Sequence, residues 1–454
     1  MGAAEFRERV APVRIKSSLR AWLLHFTYDV LWAICGVITI PWWLTRCFID
    51  RTFRRLVWER LGFSLGSLQA KGGAPRVLVH GVSVGEVKAA QALILGLEEQ
   101  GYEVVVSATT DTGLEIAAKL YGAGRIARFP LDFSPVVSRF LRVVRPDAVV
   151  LVELEVWPSF LLAANRTALP VAVVNGRITE RSYERYDHFS YLLPQFHRIS
   201  MFCVQDEEYA QRFRGLSSEQ RFIEVTGNIK FDALPVESRE PDSALKELLL
   251  GSFDGEVVVF GSTHGSEELW AVKAWEESFR DAALILAPRH PDRCEALALE
   301  LTEVGHVVLR LTELRAGAIE AQPDAVLLID TVGDLEEVYC LADVAFVGGT
   351  LVEHGGQNML EPAAVGKAVI HGPNVDNFVQ ESRLLQGAGA SVLIETPDEL
   401  GPAIAGLLAD ESKRADMGER AREAILGQRG ATAATLSALG ALLPKAGSEG
   451  PHLG

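Results

Sequence analysis

The chain has 454 residues, 48% of them hydrophobic and only 8% aromatic, which is too long for one compact core and enough for two domains with an appendage. A formal net charge of −16 argues against a nucleic-acid binder, so any anionic substrate has to be met by local basic groups. Cys35, Cys47, Cys203, Cys294 and Cys340 are odd in number and lack CxxC spacing, which suggests neither a disulfide framework nor a zinc site and points to reduced thiols.

Residues 1–60 read as an address. From Ala21 to Leu44 the run AWLLHFTYDVLWAICGVITIPWWL has about the length of a membrane-spanning helix, interrupted by His25, Asp29 and Pro41. Trp22, Trp32, Trp42 and Trp43 suit a headgroup region. Arg7, Arg9, Arg14, Lys16 and Arg20 precede the run and Arg46, Arg51, Arg54 and Arg55 follow it, so the charge rule leaves topology open and a helix lying in the interface fits equally. Bulky basic residues follow in place of a small-residue cleavage site, which favours an anchor over a secretory signal. With cytosolic domains, the second basic cluster would meet anionic lipid headgroups.

Beyond residue 65, short β-branched and aliphatic runs alternate with helical patterns. Arg76–His80, Glu103–Ser107, Ala148–Val152, Val171–Val174 and Phe202–Val204 form one series of expected strands. Glu256–Phe260, Ala283–Leu286, Val307–Leu309, Ala325–Ile329, Val344–Val347 and Ala368–Ile370 form a second. The rhythm predicts an α/β protein with two Rossmann-like domains, each a parallel sheet covered by helices on both faces, and a ligand cleft at the carboxyl ends of the strands. The Pro- and charge-rich stretch 233–243 reads as a linker. The domains are therefore expected at 61–232 and 244–443, the latter ending in an Ala-rich helical stretch, with a frayed tail at 444–454.

The loops after these strands carry the candidate chemistry. His80-Gly-Val-Ser-Val-Gly-Glu86 opens a helix, with Ser83 placed to cap it, Gly85 in the turn and Glu86 in the first helical turn. Glu86 either stands at the edge of a cleft or merely favours the helix dipole. Ala108-Thr-Thr-Asp-Thr-Gly113 either holds a polar group or is a well-capped helix start. In Glu153-Leu-Glu155-Val-Trp157-Pro158, period-two spacing would aim both carboxylates one way if the strand persisted, to steady positive charge at a sugar carbon or simply to solvate a strand end. Lys230, in Thr226-Gly-Asn-Ile-Lys230, could meet a leaving phosphate or be an ordinary surface lysine.

In the second half, Gly261-Ser262-Thr263-His264 and Pro288-Arg289-His290-Pro291 are loop tips, and Arg289 offers a fork of donors suited either to phosphate or to a nearby carboxylate. Thr331-Val332-Gly333-Asp334 follows a strand. The segment Gly348-Gly349-Thr350-Leu-Val-Glu353-His-Gly355-Gly356-Gln-Asn358-Met359-Leu360-Glu361 combines glycines, a helix start and a second acid able to hold both hydroxyls of a ribose. Ser83, Gly85, Glu155, Trp157, Ser262, Thr263, Gly349, Thr350, Gly355 and Gly356 are further cleft candidates.

On the ordered motifs HGVSVGE, ELEVWP, TGNIKFD, GSTH, PRHP and GGTLVEHGGQNMLEP, the chain resembles the transferases of 3-deoxy-D-manno-octulosonic acid (Kdo), over nearly its whole length. The resemblance implies the GT-B fold and inverting transfer of Kdo from CMP-Kdo to a lipid A precursor, without a bound metal or other cofactor. It also implies an inner-membrane enzyme with its catalytic domains on the cytoplasmic face. It assigns Glu86 as proton acceptor, Glu153 and Lys230 as groups that stabilise the transition state, and CMP contacts to Pro288, Arg289, Val332, Gly333, Asp334, Asn358, Met359, Leu360 and Glu361. Against the family's usual wording the chain has Phe129-Pro-Leu-Asp132, Glu153-Leu-Glu155, Asn175-Gly-Arg177, Val332-Gly-Asp334 and Asn358-Met-Leu-Glu361. A GT-B transferase using a UDP-linked sugar, or a silent membrane-bound sugar-nucleotide-binding protein, would share many of these features. Donor competition separates the first, and the joint presence of Glu86, Glu153 and Lys230 argues against the second.

Overall fold

The computed structural model describes residues 19–68, 71–190, 195–217, 222–234, 236, 241–322 and 324–444. The basic residues expected before residue 19, residues 235 and 237–240 of the expected linker, and the tail from 445 lie outside these. The chain divides into two compact units, one comprising residues 1–233 with 428–454, the other 234–427.

The first unit contains β1 (Arg76–His80), β2 (Glu103–Ala108), β3 (Ile126–Arg128), β4 (Ala148–Val152), β5 (Val171–Gly176), β6 (Met201–Val204) and β7 (Phe222–Val225), all parallel, in the order β3-β2-β1-β4-β5-β6-β7. Val77, Val79, Val104 and Val106 pack into one core, while Leu78, Val105, Val149 and Leu151 pack into another. Successive residues of one strand thus enter opposite cores, which is why these strands read as unbroken apolar runs rather than as alternating ones.

The second unit repeats the plan with β8 (Val257–Thr263), β9 (Ala283–Pro288), β10 (Val308–Arg310), β11 (Val326–Leu328), β12 (Val344–Val347), β13 (Ala368–His371) and β14 (Ser391–Leu393). Their order is β10-β11-β9-β8-β12-β13-β14, and the Phe260 and Phe346 rings meet at a tilt within one of its two cores. In the first sheet the strand order reverses between β1 and β4, and in the second between β8 and β12. At such switch points the two following loops splay apart and leave a crevice for ligands.

One expectation is corrected. The stretch expected to close the C-terminal domain is two helices, Glu411–Leu426 and Ala431–Leu442, and the second belongs to the first unit. Its Ala438, Leu439 and Leu442 enter the core beside Leu93 and Leu97, and Asp232 accepts the Gly430 and Thr432 amides at its start. Gly96 admits Leu436 so closely that a Cβ there would lie 2.4 Å from the leucine Cδ1.

The helix Leu19–Ile49 is long and apolar enough to cross a membrane. His25 meets Ser134 Oγ at 3.2 Å, the Tyr28 hydroxyl donates to Asp132 at 3.1 Å, and Asp29 accepts the Ser134 amide at 3.2 Å. The polar residues that interrupt the apolar run therefore dock the helix onto the first unit. Beyond them Val37, Ile38 and Leu44 are 66%, 71% and 65% exposed, a bare apolar face suited to membrane association. Asp50 caps the following helix Arg51–Arg60, and Arg46 lies over the Trp42 and Phe53 rings.

Candidate functional site

In the first unit the chemistry gathers on the loops after β1 and β4, which flank the switch point. Ser83 is the N-cap of the helix Val84–Ala89, but its hydroxyl makes no capping bond and instead donates to Glu86 Oε1 at 3.1 Å. The other Glu86 oxygen accepts the Val82 amide at 2.7 Å. Glu86 thus does satisfy a helix terminus, yet that is not all it does. Burial, and then the negative charge of Glu153, push its carboxyl above the usual range against the pull of Val82, Ser83 and Lys230.

The loop after β4 turns sharply. Glu153 has a φ of +63°, so the strand ends at Val152 and the expected period-two alignment with Glu155 does not arise. A non-glycine residue held in this region costs of order 1–3 kcal/mol and persists only where its surroundings impose it. Here they do: the Glu153 amide donates to Val174 O at 2.9 Å, Lys230 Nζ lies 2.8 Å from Oε1, and Arg177 Nε donates to Oε2 at 2.9 Å. Burial would raise the Glu153 carboxyl, but Lys230 and Arg177 outweigh it and hold it below the usual range.

Lys230 is therefore not a free surface lysine, because its charge is engaged by Glu153. Arg177, which the expected site lacked, completes the clamp; its only sequence signal is the Asn175-Gly-Arg177 turn. Glu155 accepts the Trp157 indole N–H at 2.7 Å, and burial, with the charges of Glu86 and Glu153, lifts it to about 7. Three carboxyls thus share one field, one held ionised and two held toward the acid form. The Thr110 side chain accepts the Gly113 amide, so the loop after β2 is a capped helix start. His80 is buried against Phe129, with burial pushing its imidazole down to about 3, so it is neutral packing.

In the second unit the loops after β8 and β12 flank the other switch point. Glu267, fully buried, accepts the backbone amides of His264, Gly349 and Leu351 at 2.8, 2.7 and 3.0 Å, with that of Thr350 at 3.2 Å. Burial pushes its carboxyl up while these amides pull it down. This one side chain stitches the two loops together, and the sequence reading missed it because a glutamate opening a helix looks like a dipole partner. A Cβ on Gly348 would lie 2.4 Å from Thr263 Cα, so only glycine lets the loops meet.

Thr263 and Thr350 are corrected as ligand candidates. Both are fully buried; Thr263 donates to Glu268 at 2.9 Å, and Thr350 donates to Val347 O and accepts the Gly372 amide. Their hydroxyls hold the fold. Ser262, Gly349, Gly355 and Gly356 have φ values of +53°, +68°, +88° and +81°, as the tight turns of these loops require.

Pro288 ends β9, and among the described residues the exposed Arg289 side chain forms no ion pair or hydrogen bond. Val332 is 84% exposed, and Gly333 has a φ of +100°. Asp334 is taken by a bidentate pair with Arg315, at 2.7 and 2.9 Å, which holds its carboxyl low and leaves the loop's backbone as its free polar surface. Asn358 donates to Glu361 at 3.1 Å and accepts the Leu360 amide, at the start of the helix Leu360–Ala364; Met359 is buried.

Residues 55–233 match the family model described as 3-Deoxy-D-manno-octulosonic-acid transferase (kdotransferase). A 3-deoxy-D-manno-octulosonic acid transferase of Bordetella pertussis is 34% identical over 82% of this chain and 90% of its own length. One from Haemophilus influenzae is 29% identical over 90% of this chain and 96% of its own. A solved Anabaena protein in complex with UDP and glucose, 12% identical, covers 81% of this chain and 98% of its own at a TM-score of 0.56. A Listeria monocytogenes structure described as a UDP-N-acetylglucosamine 2-epimerase, 15% identical, covers 76% and 90% at a TM-score of 0.53. These two structures share the fold, a pair of Rossmann-like units of the GT-B type.

Proposed function

The chain belongs to the 3-deoxy-D-manno-octulosonic-acid transferase family, and from that premise we propose that it moves Kdo, with inversion, from CMP-Kdo to a hydroxyl of a membrane-borne lipid A precursor. The observation that carries the mechanism is Glu86. A buried carboxyl lifted above its usual range is a stronger base than a solvated one, and its fixed bonds to Val82 and Ser83 leave little reorganisation for proton transfer.

As the acceptor oxygen attacks the anomeric carbon, its proton passes to Glu86, and the bond from that carbon to phosphate oxygen breaks with the electron pair leaving on CMP. Phosphate is already a good leaving group, so positioning and electrostatics are the protein's main task. Glu153 is clamped between two cations, so the trio carries net positive charge. Lys230 and Arg177 are therefore better suited to an anionic substrate group than Glu153 is to a developing cation. CMP is assigned to the second unit, on Pro288, Arg289, the loop 332–334 and residues 358–361, where the free Arg289 fork and the helix start favour phosphate.

The reaction as proposed draws on no metal or other cofactor, so incubation with EDTA is expected to leave the rate unchanged, and a loss restored by one divalent ion would revise the mechanism. The cytoplasmic face of an inner membrane is the proposed setting, with the exposed face of Leu19–Ile49 toward lipid. Purified protein incubated with CMP-Kdo and a tetraacylated lipid A precursor should yield a mass gain of one or more Kdo residues. Transfer from a UDP-sugar instead would overturn the donor assignment.

A further inference from the structure

The loop after β8 begins with His264, the loop after β9 carries Arg289 and His290, and the segment after β12 carries His354. All three histidines converge. The His264 and His354 rings stack with centroids 3.8 Å apart, and the His290 ring stands edge-on to His264 at 5.7 Å. His264 is 8% exposed, whereas Arg289, His290 and His354 are exposed.

Of the carboxylates near the cluster in sequence, Asp292 and Glu353 are exposed, and the buried Glu267 and Glu268 are engaged elsewhere. Glu267 is spent on backbone amides, and Glu268 takes the Thr263 hydroxyl and Arg293 at 3.2 Å. The cluster therefore presents Arg289 and three imidazoles with no ion pair among the described residues. The charged groups that act most strongly on His264 are the cations Arg289 and Arg293 and its neighbouring imidazoles, and a cluster of donors in such a field suits an oxyanion.

Resting on the donor reading above, we propose that His264, His290 and His354, beside Arg289, form an oxyanion subsite for the donor's phosphate or sugar carboxylate, and that the subsite takes up a proton as the donor binds. In the free protein burial, followed by His354, His290, Arg289 and Arg293, pushes His264 down to about 4, so the ring is neutral near pH 7. Gln357 is already arranged for both states. As oriented, its amide Nε2 lies 3.2 Å from His264 Nε2 and donates to it, which leaves the ring proton on Nδ1. Turning the amide over would let its oxygen accept from a protonated Nε2. An anion seated here adds a negative partner for His264 that opposes both the burial and the positive neighbours, so the imidazole gains a proton from solvent, and donor affinity rises with falling pH by up to about tenfold per unit.

The test is calorimetric titration of the full chain in detergent with CMP-Kdo at pH 7, in two buffers of different ionisation enthalpy. The expected result is uptake of about one proton, lost in His264→Asn and reduced in the exposed variant His290→Asn, which does not depend on the buried site refolding. As a second readout, the His264 ring nitrogens in histidine-labelled protein should shift from the neutral to the doubly protonated pattern on donor addition. Arms with free Kdo and with CMP distinguish the sources: protonation of His264 by Kdo assigns the carboxylate, and protonation by CMP assigns the phosphate. CMP-Kdo binding without proton uptake, or uptake unchanged in His264→Asn, overturns the subsite alone. Failure of CMP-Kdo to bind the wild-type chain overturns the donor reading and the subsite with it.

Discussion

Glu86, Glu153 and Glu155 share one loop cluster and titrate in opposite senses because their partners differ. Glu153 has two cations, Glu155 an indole N–H, and Glu86 an amide and a hydroxyl. A carboxyl lifted on folding binds its proton more tightly in the native state than in the unfolded one. For Glu155, raised from 4.5 to about 7, stability is present in the acid form and declines as pH rises through that window. Glu153, held low, contributes the reverse: its stabilisation is present above its unfolded value and is lost as pH falls through its folded one. Glu155→Gln is accordingly expected to flatten the decline in urea stability between 4.5 and about 7, and an unchanged slope would show that Glu155 does not carry the proton. At this scale the sequence was legible in part. The strand-end acids stood out, but the pairing of Lys230 with Glu153 and the amide stitch of Glu267 join residues far apart in the chain, and no local pattern announces them.

Among the elements, the buried strands were easiest to read, because burial on both faces leaves uninterrupted apolar runs such as Val77–Val79 and Val149–Val152. The edge strands β3, β7 and β14 were missed. Each has three or four residues and a partly exposed face, so Ile126-Ala-Arg128, Phe222-Ile-Glu-Val225 and Ser391-Val-Leu393 lack the contrast that marks a strand. The helix Ala431–Leu442 was recognised but given to the wrong unit, since nothing in an alanine-rich stretch says which core it will fill. Its attachment is specific: Asp232 caps it from a position just before the second unit begins. Asp232→Ala should cost about 0.5–2 kcal/mol in equilibrium unfolding and open the 428–431 segment to proteolysis. Retention of full stability and protection would mean that packing of Leu439 and Leu442 alone secures the helix.

For the whole molecule, two folding units of one plan carry different chemistry, and an apolar helix is docked on the first of them. Because His25, Tyr28 and Asp29 bind that helix to the unit while Val37, Ile38 and Leu44 stay bare, deletion of residues 1–49 should abolish co-sedimentation with anionic vesicles and spare CMP binding. Vesicle binding that survives the deletion would move the membrane contact to another surface. The same division of labour predicts that the proposed base can be removed without touching the proposed nucleotide site, since Glu86 lies in the first unit and Arg289 and Glu361 in the second. The most direct measurement is transfer from CMP-Kdo to the lipid acceptor by Glu86→Gln, read by mass spectrometry beside CMP-Kdo affinity. We expect affinity to stay near that of the wild type while turnover falls by about 10²–10⁴-fold; near-normal turnover would contradict the assignment of Glu86 as the base.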